Sequence, residues 1–127
     1  MAKILISEDS SLLREMYERI FQTSGYEVVT ATDGQNALDL LVAMEVKPSV
    51  IVLDVIMPKL NGFETLKAIK ENPQLQNIPV IMLTNLNSVE DRAKAEQLGA
   101  VLYISKVDVS NEEIVKWVQS VVPAENQ

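Results

Sequence analysis

A chain of 127 residues, 47% of them hydrophobic, is long enough for one packed domain and too apolar to remain disordered. Its formal net charge of -7 excludes the basic footprint that sequence-independent binding to DNA or RNA requires, while an acidic surface for a basic protein partner stays open. Cysteine and histidine are both absent, which removes disulfides, thiolate nucleophiles, Ser-His triads, imidazole metal sites and any phosphohistidine step within this chain. Met1-Ala2-Lys3 leads into a strand pattern rather than a signal-peptide core, and no apolar run nears the roughly 20 residues a membrane span needs. A cytoplasmic location is the expectation.

Strand and helix patterns alternate five times. Strands are predicted near residues 3–7, 26–31, 49–54, 79–84 and 101–105. Between the first two, Leu12, Leu13, Met16, Ile20 and Phe21 recur at helical spacing, and Gly25 supplies a stop. The second helix carries Ala37, Leu38, Leu41 and Met44, with Pro48 just beyond it. Phe63, Leu66 and Ile69 mark the third, closed by Asn72-Pro73. Met57-Pro58 and Asn61-Gly62, which precede it, read as turn chemistry. Ser88 is a good N-cap for the fourth helix, with Asp91 three residues on and Gly99 after its end. Ser110 and Glu113 form a capping box for the fifth, which bears Ile114, Trp117, Val118 and Val121, with Trp117 expected in the packing seam. Residues 1–122 are expected to form the domain, and 123–127 a disordered tail or a truncated linker.

Strict βα alternation implies a parallel sheet covered by helices on both faces, with right-handed crossovers. Ligands of such sheets bind at the carboxyl ends of the strands. Four strand ends here carry polar groups: Glu8-Asp9 after Ile4-Leu5-Ile6, Asp54 after Val50-Ile51-Val52-Leu53, Thr84 after Val80-Ile81-Met82-Leu83, and Lys106 after Val101-Leu102-Tyr103-Ile104. Three acids, a hydroxyl and an ammonium at one sheet edge read as a metal-assisted phosphoryl site.

This constellation, with Met57-Pro58 and Asn61-Gly62 following Asp54 and Tyr103 preceding Lys106, resembles the receiver domain of bacterial response regulators, the CheY-like family. The match runs over about residues 2–121. The resemblance implies a doubly wound, flavodoxin-like sheet of five parallel strands in order 2-1-3-4-5 with five helices. It implies that Asp54 accepts a phosphoryl group from the phosphohistidine of a sensor histidine kinase or a histidine phosphotransfer protein. Mg²⁺, or Mn²⁺, would be held by Asp9, Asp54 and the backbone carbonyl of Ile56, with Glu8 acting through water. Lys106 and Thr84 would hold phosphoryl oxygens. Thr84 would then move toward the phosphoryl group and let Tyr103 turn inward, remodelling the surface of the fourth helix, fifth strand and fifth helix for a downstream protein target. The chain is expected to be a monomer or a phosphorylation-dependent dimer, either stand-alone or cut from a longer regulator. It binds neither nucleic acid nor membrane on this reading.

The sequence departs from the family at several of these positions. Val107 replaces a proline that commonly follows a cis bond after the lysine, and a trans bond there would reshape the loop around Lys106. Asn85 replaces a small residue beside the phosphoryl site, and Glu8 replaces the commoner aspartate. Ile56 and Leu86, which flank the path of the hydrolytic water in the family, are both apolar and cannot orient that water. Autodephosphorylation is therefore expected to be slow, a timer rather than metabolic turnover. A pseudo-receiver that never takes phosphate is the alternative. A flavin-binding relative is disfavoured because Glu8-Asp9 would repel the flavin phosphate. An aspartyl phosphatase is disfavoured because Ile56 stands where a second acid belongs.

Overall fold

The computed structural model describes residues 2–122, so the tail expected at 123–127 lies outside the described residues. Its elements in chain order are β1 (Lys3–Ser7), α1 (Ser11–Thr23), β2 (Glu27–Ala31), α2 (Gly34–Ala43), β3 (Val50–Leu53), α3 (Gly62–Glu71), β4 (Val80–Thr84), α4 (Val89–Gln97), β5 (Leu102–Ser105) and α5 (Asn111–Val121). The five strands pair in parallel in the order β2-β1-β3-β4-β5, as the alternation of elements demands. The central strands β3 and β4 are buried at every position, which is why they read as unbroken apolar runs.

Successive strand residues feed opposite layers. Leu5, Ile51, Leu53 and Met82 pack with Ala37, Leu41, Leu66, Ile69 and Ala95 from α2, α3 and α4. Ile4, Ile6, Val52 and Ile81 pack with Tyr17, Phe21, Ile114 and Val118 from α1 and α5. Two sequence expectations are corrected in these layers. Leu12 is 77% exposed, because it falls off the stripe formed by Leu13, Tyr17 and Phe21. Trp117 is 46% exposed rather than sealed in a seam, the inner face of α5 being filled by Ile114 and Val118.

Caps fix where the helices begin, and so where the loops at the strand ends are held. Ser88 and Ser110 cap α4 and α5 as expected, the latter with its reciprocal Glu113 contact. Asn61 does more than turn the chain: its side chain accepts from Glu64 N while Glu64 accepts from Asn61 N, a full capping box for α3. Gly62, the first residue of that helix, abuts the end of β3. A Cβ there would lie 2.2 Å from the Asp54 carbonyl oxygen, so only glycine fits.

Candidate functional site

The carboxyl ends of β1, β3, β4 and β5 meet above the sheet centre. Glu8 leaves the end of β1 with its amide donating to the Ala31 carbonyl. Asp54 follows β3, its amide donating to the Ser7 carbonyl, and Gly62 N returns to Val55 O to close the loop behind it. Lys106 follows β5 and its amide donates to Thr84 O. Neighbouring strands thus tie each of these backbones in place before any side chain acts.

The side chains converge. Lys106 Nζ donates to Asp54 Oδ2 at 2.6 Å and to Glu8 Oε1 at 2.5 Å, and all three side chains are buried. Glu8 Oε2 accepts from the Ser10 amide, and Asp54 Oδ1 accepts from the Ile56 amide at 3.3 Å. Carboxylate oxygens of Glu8, Asp9 and Asp54 all lie within 4.8 Å of one another. Asp9 is exposed, and among the described residues no hydrogen bond engages its carboxylate. Burial raises Glu8 above the usual carboxylate pKa, the contacts from Lys106 and Ser10 opposing this without cancelling it. Burial also works against the charge on Lys106, but its hydrogen bonds to Asp54 and Glu8 and their negative charges outweigh it and hold the ammonium above the ordinary lysine value. The lysine is a counter-charge pressed between two acids.

Three carboxylates converging on one space, with a backbone carbonyl next in the chain at Ile56, form an all-oxygen donor set. Such a set suits a hard divalent cation and no softer one. The residues present fit that group. Asp9 offers an uncommitted carboxylate, whereas both Glu8 oxygens already have partners.

Departures from the family pattern do not disperse the site. Among the described residues no peptide bond is cis, so Lys106 joins Val107 by a trans bond and still brings its ammonium onto Asp54. Asn85 is exposed, as are Ile56 at 58% and Val107 at 74%. Thr84 is fully buried, and its Oγ1 accepts from the Leu86 amide at 3.3 Å. Tyr103 is turned inward, its hydroxyl donating to the Leu86 carbonyl at 2.6 Å, and burial raises its pKa. Leu86 therefore links Thr84 to Tyr103 through its own amide and carbonyl. That link escapes sequence reading because it runs through backbone groups that any residue carries. Arg92 of α4 was likewise missed: it donates to the Tyr103 carbonyl at 2.9 Å and lies 5.1 Å from the centre of the Tyr103 ring.

The family model described as the response regulator receiver domain matches residues 4–119. The chain belongs to that family, and its five-stranded fold and central acidic cluster are those of a receiver from a two-component response regulator. Protein PilG of Pseudomonas aeruginosa is 33% identical over 122 residues, which is 96% of this chain and 88% of PilG. The chain spans only 39–50% of the transcriptional regulators among its curated relatives. Among solved structures, chemotaxis protein CheY4 of Vibrio cholerae superposes with a TM-score of 0.88 at 36% identity, covering 96% of this chain and 99% of that one. The Mn²⁺-bound form of response regulator Rcp1 superposes with a TM-score of 0.81 at 28% identity, covering 98% and 100%. Among the described residues no helix is long and apolar enough to cross a membrane.

Proposed function

We propose that this receiver accepts a phosphoryl group on Asp54 from the phosphohistidine of a sensor kinase or histidine phosphotransfer protein, and thereby switches its α4-β5-α5 surface for a downstream protein. The observation that carries the reading is the convergence of Lys106, Glu8 and Asp9 on the Asp54 carboxylate. An Asp54 oxygen attacks phosphorus as the bond from phosphorus to the imidazole nitrogen breaks. The nitrogen keeps that electron pair and the acyl phosphate forms. Lys106, already bonded to Asp54, pairs with one of the phosphoryl oxygens that this transfer brings in. Asp9, Asp54 and the Ile56 carbonyl, with Glu8 at one remove, would hold Mg²⁺ or Mn²⁺. When bound, that cation offsets the negative charge developing on the phosphoryl oxygens.

Thr84 reads the modification. Its Oγ1 accepts from the Leu86 amide and can still donate its proton to a phosphoryl oxygen, so a shift of Thr84 toward that oxygen draws on Leu86, which in turn holds the Tyr103 hydroxyl. New contacts at Asp54 thereby bias the placement of Leu86 and Tyr103, as a switch requires. Ile56 and Leu86 present only side-chain carbon toward an approaching water, so the acyl phosphate is expected to be long-lived.

Intact mass after incubation with Mg²⁺ and acetyl phosphate tests the reading. One phosphoryl gain is expected in the parent, none in Asp54→Asn, and none after chelation of the metal. If the parent gained nothing from acetyl phosphate or from a phosphorylated kinase, a pseudo-receiver that acts by binding alone would replace this reading.

A further inference from the structure

Between α4 and α5, along the free edge of β5, lies a cleft of about 370 Å³. Its floor is apolar, with Val101, Leu102 and Ile104 among the lining residues, and Trp117 and Tyr103 are its aromatic members. Two features are unexplained by packing. Trp117, the sole tryptophan of the chain, leaves nearly half its surface in solvent there. Ser105, only 5% exposed, lines the same cleft, and its Oγ is a buried side-chain oxygen without a hydrogen-bond partner among the described residues. That oxygen has almost no surface of its own, so it belongs to the cleft wall and the open polar groups of the cleft lie elsewhere.

The charges say which partner. Arg92 is the one cation among the lining residues, and it is committed to the Tyr103 carbonyl and ring. Glu96 and Asp108 also line the cleft and are exposed, and neither belongs to an ion pair among the described residues. Among the described residues the Asp108 carboxylate has only a 3.5 Å contact, from the Asn87 amide group.

We propose that this cleft receives an arginine side chain from a segment of the downstream protein. The planar guanidinium stacks on Trp117, its aliphatic stem lies on the apolar floor, and its N–H groups reach the exposed Asp108 and Glu96 carboxylates. Arginine suits the site better than lysine because it combines a flat stacking face with a fork of donors. The inference names the chemistry of the partner for the surface assigned above as the output, and it rests on that assignment.

The test is a selection of short random peptides on this chain held with Mg²⁺ and beryllofluoride. Enriched peptides are then titrated with Trp117 emission as the signal, beside versions carrying citrulline or glutamate for arginine. Arginine should be enriched, and its replacement by the uncharged citrulline should weaken binding about tenfold, as loss of a charge-assisted pair does. Glu96→Gln with Asp108→Asn should abolish the preference for arginine over citrulline while leaving the thermal midpoint near the parent's. Enrichment of acidic or uncharged peptides, equal binding of the citrulline version, or no enrichment overturns the proposal. Intact mass of the same preparation after acetyl phosphate reports Asp54 loading separately. A chain that selects arginine but never takes phosphate would keep the cleft and remove the phosphoryl reading.

Discussion

The sheet centre and the β5 edge solve opposite problems with similar parts. At the centre, Glu8, Asp54 and Lys106 are buried and paired at 2.5–2.6 Å, each fixed by backbone bonds to a neighbouring strand. At the edge, Tyr103, Arg92 and Trp117 sit where β5 lacks a further neighbour, and an aromatic and a hydroxyl are left incompletely used. The first region is built to hold charge in one geometry, the second to change or to receive something. What joins them is two hydrogen bonds through Leu86, one to Thr84 and one from Tyr103. On the proposed function, a chemical event at the rigid centre would reach the adaptable edge through very few contacts, all of them passing through Leu86.

Removing the counter-charge should break the comparison most severely. Lys106→Met leaves Glu8 and Asp54 buried without their ammonium, and urea unfolding without divalent cation should show a loss of about 3–5 kcal/mol. Added Mg²⁺ should recover part of that loss, because three carboxylates then have a cation to share. Gly62→Ala should come next. Its Cβ would collide with the Asp54 carbonyl, so about 1–3 kcal/mol of stability and much of the phosphoryl uptake should go together. Ile56→Asn, at an exposed position, should leave stability unchanged and speed loss of the phosphoryl group about tenfold, the equivalent of one well-placed hydrogen bond to water. An unchanged half-life in that variant would remove the apolar explanation for slow hydrolysis.

The smallest effect belongs to the α5 cap. Ser110→Ala should cost about 1 kcal/mol, with phosphoryl uptake intact. Contacts with Ser110 hold the Glu113 pKa below 4.5, so the charged carboxylate is favoured in the folded state. Its contribution is complete above pH 4.5 and is lost as pH falls through the lower folded value. Ser110→Ala keeps the backbone amide that is the largest cause, so thermal unfolding should show most of this acid loss in the variant as well as in the parent.

Most of the fold was legible because period and punctuation agree. Val50-Ile51-Val52-Leu53 cannot be an exposed strand, and Ser110 with Glu113 marks a helix start without help from the tertiary structure. The central cluster was legible for a related reason. Polar groups that end apolar runs must emerge together once the strands lie parallel, and the structure brings Glu8, Asp9, Asp54, Thr84 and Lys106 to one edge. Other features exist only in three dimensions. Leu12 and Trp117 satisfy a helical spacing yet face outward, because spacing alone does not say how wide the buried stripe is. Asn61-Gly62 reads as a turn in sequence, and only the capping box and the closeness of Asp54 O reveal that it also braces the end of β3. The Leu86 link and the unpartnered Ser105 hydroxyl depend on atoms brought together from distant strands, and no local pattern encodes them.

The most direct test of the coupling between the two regions is Trp117 emission during titration with beryllofluoride and Mg²⁺, repeated in Asp54→Asn and Thr84→Ala. A saturable change in the parent, absent without Asp54 and diminished without the Thr84 hydroxyl, is the predicted result. A parent whose mass shows phosphoryl uptake from acetyl phosphate, but whose Trp117 signal and tyrosine resonances stay unmoved, would contradict the account. The centre would then be chemically active and the edge deaf to it.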